Sequence, residues 1–183
     1  MTLETGLQVY VAGASRLAAT ILGADESIAG EAIYHIAYAE GGDGWWPESS
    51  LFPTEEERRV AEAPALVEEK ARKLAALADR RWRAETGGTT IAGRRFSSDE
   101  KAQGKLTAAV VASVLDNAYQ LQWKLADGAF VTLDHATLIA AAQGVRAHVQ
   151  ACFDEEAARR SAIVAAEDRA ALAAIDIESG WPG

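Results

Sequence analysis

Between Leu121 and Leu133 the chain alternates apolar and polar side chains on both sides of an Asp127-Gly128 pair, and this constrains the fold more than any other stretch. Leu121, Trp123 and Leu125 alternate with Gln122 and Lys124, the period of a strand with one buried face. Ala126-Asp127-Gly128-Ala129 supplies the turn, Asp-Gly being a favoured hairpin pair, and Phe130-Val131-Thr132-Leu133 returns. Asp134 is placed to cap a helix, on which Leu138, Ala142, Val145, Val149, Phe153 and Ala157 share one face. With Ile163 and Val164 continuing it, that helix reaches ~30 residues and ~45 Å. This exceeds what a small domain needs, so part of it is expected to meet a partner.

The rest of the chain adds helices and short strands. Pro53-Thr54-Glu55-Glu56-Glu57 starts a helix, with Thr54 and Glu57 spaced as a capping box and three acids suited to the helix dipole. Pro64 predicts a break or kink just before it. Beyond it Val67, Ala71, Leu74, Ala78 and Trp82 form an apolar stripe, until Gly87-Gly88 ends the helix. Thr89–Phe96 reads as a small hairpin or a strand with a tight turn, and Ser97 with Glu100 as a second capping box. The helix after it carries Leu106, Val110, Val114 and Ala118 and is expected to end near Asn117. Asp168–Ala174 is a last short helix. Near the N-terminus Gln8–Val11 suits a strand and Ala14–Leu22 a short helix closed by Gly23. Ala32–Tyr38 alternates like a strand, though its alanines leave helix open. Gly41-Gly42-Asp43-Gly44 breaks the pattern before Trp45-Trp46-Pro47.

The expected fold class is α+β: small antiparallel sheets and hairpins packed on long amphipathic helices, helix-rich, with a separate mixed N-terminal region. The expected organisation is a mixed α/β docking region over 1–52, a helical connector over 53–88 and an α+β module over 89–183. Two roles are open to Trp45 and Trp46: locking a loop onto a core, or anchoring an interface, where Trp is enriched. Trp45, Trp46 and Trp82 are the candidate partner-contact residues.

The 183-residue chain has a formal net charge of -9. That disfavours nucleic acid as a partner, which calls for a positive surface, and disfavours anionic membranes. The run Arg80-Arg81-Trp82-Arg83 is accordingly read as a solvated or partner-facing helix end rather than an RNA contact. Nothing approaches the ~18 apolar residues of a membrane span. Met1–Tyr10 lacks a basic segment and a long apolar stretch, so synthesis in a cytoplasm is expected.

Searches for chemistry find little. Gly13-Ala14-Ser15-Arg16-Leu17 begins like a nucleophile elbow, but Leu17 stands where the second glycine belongs. Neither a phosphate-binding P-loop nor a dinucleotide fingerprint is present. His135 and His148 lie more than three turns apart on one helix, too far to share a metal. Cys152 is the single cysteine, one turn from His148, and reads as a small buried apolar residue before a catalytic thiol. Glu155-Glu156 and Glu167-Asp168 read as a solvated helix face. No cofactor, metal or catalytic residue is expected.

One resemblance remains. It rests on Arg95-Phe96-Ser97-Ser98-Asp99, Gly104-Lys105-Leu106, Gln122-Trp123-Lys124-Leu125-Ala126-Asp127-Gly128, Val131-Thr132-Leu133-Asp134, Val145–Phe153, Ala174-Ile175-Asp176 and Gly180-Trp181-Pro182. Over 93–182 the chain resembles an uncharacterised domain of tailed-phage and prophage tail-fibre and fibre-assembly proteins, with the hairpin as the most specific part. The resemblance brings no catalytic residues. It implies a non-enzymatic structural component of the virion tail (tip, baseplate or fibre base), made in the host cytoplasm, contacting other tail proteins and forming a homo-oligomer. The alternative is a fibre-assembly chaperone, and a small-molecule enzyme is the third reading.

Overall fold

The computed structural model describes residues 3–13, 18–26 and 30–183. It is an α+β protein whose chain divides into two compact units, Met1–Ala71 with Ala166–Ala174, and Arg72–Ala165 with Ile175–Gly183. The division falls inside a helix, while Gly87-Gly88 marks that helix's end.

The first unit holds a five-stranded antiparallel sheet of β1 (Gln8–Val11), β2 (Ala18–Glu26), β3 (Ala32–Tyr38), β4 (Asp43–Pro47) and β5 (Leu51–Phe52). Their order is β4-β3-β2-β1-β5. Period-two alternation builds its core. Val9 and Val11, Ala19 and Ile21, and Tyr34 and Ile36 all point to one buried face with Leu3 and Leu51. Ile21 pairs directly with Ile36, after which the register slips at Leu22, leaving that leucine exposed. The helix expected over Ala14–Leu22 is corrected here, because 18–22 belong to β2. Pairing with β1 and β3 satisfies the backbone on both edges and overrides the helical preference of its alanines. Residues 14–17, with most of the elbow-like Gly13–Leu17 segment, lie outside the described residues.

α1 (Glu55–Thr86) starts as expected: the Thr54 N–H donates to the Glu57 carboxylate and the Glu57 N–H to Thr54 Oγ1, each at 3.2 Å. Glu62 accepts from the Gly13 N–H at 2.7 Å and pairs with the buried Arg58. The break expected at Pro64 does not occur; the helix is continuous through it. Proline strips the Val60 carbonyl of its helical donor, but Val60 is exposed, so solvent has access there.

In the second unit α1 is followed by β6 (Thr89–Ile91), β7 (Arg94–Phe96), α2 (Glu100–Leu115), β8 (Leu121–Lys124), β9 (Phe130–Leu133) and α3 (His135–Ala165). β6–β7 and β8–β9 are separate two-stranded antiparallel ribbons. A short α4 (Arg169–Ala174), capped by Asp168, groups with the first unit. The α2 cap is Asp99, which accepts from the Ala102 N–H at 2.9 Å, and not the expected Ser97. Next to it Ser98 is buried. Its Oγ accepts from the Gly88 N–H (2.9 Å) and donates to the Glu85 carbonyl, while its own carbonyl accepts from Gln103 at 2.8 Å. One serine thereby ties the end of α1 to the start of α2.

The β8–β9 turn is a three-residue loop. Leu125 and Ala129 are joined by an N–H···O bond of 2.8 Å, the Gly128 N–H closes on the Leu125 carbonyl, and Gly128 takes a φ of 90°. The hairpin turns Trp123, Leu125 and Leu133 onto Leu106 and Ala109 of α2 and Leu138, Ala141 and Val145 of α3. Asp134 caps α3 reciprocally with Thr137, both bonds being 2.9 Å. The Thr137 hydroxyl, and then the Thr137 N–H, donate to the Asp134 carboxyl and hold it below the usual range.

Trp123→Ala should cost ~3–5 kcal/mol in chemical denaturation. Among the described residues the buried indole Nε1 has no hydrogen-bond partner. Trp123→Phe, which keeps a ring and removes that N–H, should therefore recover most of the loss.

Candidate functional site

Trp45 and Trp46 are neighbours on β4, so the pleat sends them to opposite faces. Trp45 is 54% exposed and stacks on His35 of β3, with ring centroids 4.8 Å apart. His35 is fixed in turn by Asp43, 2.5 Å from its Nε2. Trp46 packs against the sheet core, where its indole N–H donates to the Tyr38 hydroxyl at 2.7 Å. The two roles considered for this pair are thus divided between its members. Both lie in a strand, not in the loop the Gly/Pro setting suggested.

Trp82 is 57% exposed on α1, surrounded by committed charges. Arg83 pairs with Asp79, and Arg81 pairs with Glu85 and Glu156. The Arg81 guanidinium also lies 4.5 Å from the centre of the Phe153 ring. Arg80 meets Glu178 and the Trp181 ring. Every arginine of the basic run therefore has a carboxylate, and none is held in reserve for phosphate.

The buried faces of α1 and α3 differ from the expected stripes. On α1 the second unit buries Leu77, while Trp82 and, in the first unit, Val67 are exposed. On α3 the buried residues are Leu138, Ala141, Val145, His148, Cys152 and Ile163, and Phe153 is half exposed. On α3 Leu138 and Val145 stay buried while Ala141, His148 and Cys152 are buried in place of Ala142, Val149 and Phe153, each one position earlier, a partial turn of the face; on α1 Leu77 is buried one position before Ala78. The turn brings His148 and Cys152 inward. The His148 Nε2 lies 3.1 Å from the Ala84 carbonyl and 3.9 Å from the Cys152 sulfur. Burial, and then the charge of Glu85, push the Cys152 thiol up, so it stays protonated at neutral pH and is a poor nucleophile.

His135 contacts the Ser113 carbonyl at 3.0 Å. The acidic pairs are employed structurally: Glu155 holds Arg159, Glu156 holds Arg81, and Asp168 caps α4. Among the described residues no three His, Cys, Asp or Glu side chains gather where they would hold a metal ion. No described helix is long and apolar enough to cross a membrane.

A family model described as a domain of unknown function (DUF4376) matches residues 68–179, more than half of the sequence. The chain belongs to the DUF4376 family. No curated protein and no solved structure matches it. The DUF4376 match begins within α1 and so takes in Leu77, Arg81 and Trp82. Trp45 and Trp46 lie outside it.

The DUF4376 match ends at a locked turn that sequence reading overlooked. Asp176 accepts hydrogen bonds from the Ser179 hydroxyl and from the N–H groups of Glu178 and Ser179. Just beyond, Trp181 donates to the Ile177 carbonyl at 2.9 Å, with the guanidinium groups of Arg80 and Arg159 over its ring. An Asx-type Asp-x-x-Ser spacing before a tryptophan was the available signal.

The Ser179 hydroxyl, then the two backbone N–H groups, draw the Asp176 carboxyl down to about 2. A depressed carboxyl stabilises the turn fully above its unfolded value near pH ~4 and loses that contribution as pH falls through the folded one. The Trp181 indole N–H resonance should therefore hold its position down to about pH 4 and move toward a disordered value near about pH 2. Asp176→Asn should disturb it already at neutral pH.

Proposed function

We propose that this DUF4376 protein is a structural component of a tailed-phage tail, at the tip, baseplate or fibre base, and works through protein–protein contacts without catalysis. The observation that carries the reading is the exposure of Trp45 and Trp82, large aromatic side chains held by a strand and a helix and surrounded by charges already paired. A tryptophan held rigidly in water gains most by being covered by a partner. The resemblance of residues 93–182 to tail-fibre-region proteins is what suggests the particle. The chain assembles there with other tail proteins and with copies of itself.

Mass spectrometry of purified virions should find the chain in stoichiometric amount. Its presence in infected cells but not in particles would instead identify the fibre-assembly chaperone. Trp45→Ala and Trp82→Ala should each change folding stability by less than about 1 kcal/mol, yet reduce incorporation into particles. Trp46→Ala should cost more stability, because it removes core packing and the bond to Tyr38.

A further inference from the structure

A cavity of about 460 Å³ runs along the whole of β8, roofed on one side by Lys105, Ala108 and Ala109 of α2 and closed by Tyr119 and Phe130. Among the described residues β9 is the only strand that pairs with β8. Antiparallel pairing lets alternate residues exchange hydrogen bonds with the neighbour. Leu125 is bonded to Ala129, so Trp123 and Leu121 are the residues whose main chain faces β9. The N–H and C=O groups of Gln122 and Lys124 must then face away from β9, along the cavity. Together the two residues present an open strand edge of about 7 Å, bounded at one end where the Ala126 N–H bonds to the Arg95 carbonyl.

The lining chooses among possible occupants. It holds two lysines, Lys105 and Lys124, and no carboxylate. Neither lysine makes an ion pair with the described residues, in a chain whose formal net charge is -9. Trp123 and Tyr119 give it an aromatic wall, and Phe130 stands 67% exposed at its rim. Pairing β8 with β8 of a second copy would set these lysines against their own counterparts and costs stability.

We propose that this groove binds an extended acidic segment of a partner polypeptide, which adds to β8 as a third strand. Its main chain bonds to Gln122 and Lys124; because strand side chains alternate between faces, its carboxylates on one face meet Lys105 beside Trp123 and those on the other meet Lys124 beside Phe130. This is strand addition, in which the backbone supplies affinity and the flanking side chains select the sequence. It goes beyond the tail reading and holds whether or not the chain is found in virions.

The test is a titration of the full ¹⁵N-labelled chain with a blocked hexaglutamate peptide, which offers carboxylates to both faces, beside its hexalysine counterpart and sodium acetate. Binding of the acidic peptide should shift the Gln122 and Lys124 amides and slow their hydrogen exchange, with the lysine peptide and acetate without effect. The double variant Lys105→Glu/Lys124→Glu, altering two exposed side chains, should weaken the acidic peptide by about tenfold or more and admit the basic one. Gln122→Pro should abolish binding while sparing the bonds to β9, because the lost N–H faces the groove. If that variant misfolds, the lysine reversal decides alone. Equal response to both peptides, the same shifts with acetate, no response at Gln122 and Lys124, or protection of those amides by self-association without peptide would each overturn the proposal.

Discussion

The second unit depends on one act of burial, the apolar face of the β8–β9 hairpin pressed onto α2 and α3. A lone two-stranded ribbon is marginal in water, and this unit contains two of them. Trp123, Leu125 and Leu133 gain a dry environment only because Leu106, Leu138 and Val145 stand opposite. The other ribbon relies on closer contact still. Gly144 of α3 leaves room for Ile91, where even a methyl group would come within 2.6 Å of its terminal carbon. The helices are the substrate on which both ribbons exist, and the Ser98 hydrogen bonds hold α1 and α2 in the matching chain positions.

The hairpin was legible because its signals are local and agree: period-two alternation, Asp-Gly at the turn, and an Asp cap directly after the second strand. The capping box at Thr54–Glu57 was legible for the same reason. The faces of the long helices were not. α1 and α3 are rich in alanine, so several faces of each are nearly equal in apolar content, and small differences decide which is buried. On α3 the deciding residues are His148, whose polarity hides it from an apolar count, and Cys152. His148 tolerates burial because the Ala84 carbonyl is within reach of its ring nitrogen, information that resides 64 positions away in the chain.

The N-terminal sheet illustrates the reverse conflict. Ala18 to Leu22 prefers helix by composition, yet β2 is hydrogen-bonded on both sides, and strand pairing is a non-local reward that no window of sequence displays. Once the strands are known, the tryptophan pair becomes readable: one step along β4 separates a core residue from a surface residue. Candidate interface residues were therefore partly visible beforehand, whereas the β8 edge was not, since its openness depends on which strands fail to appear beside it.

The inward turn of Cys152 has a practical consequence. As the chain's single sulfhydryl, fully enclosed and close to the Ala84–His148 contact, it makes any alkylating reagent a clock for local opening of this region. The modification rate reports how often α3 and the end of α1 part, with no background from a second thiol. Because only the rare deprotonated form reacts, the opened and closed populations differ in reactivity twice over, through access and through ionisation.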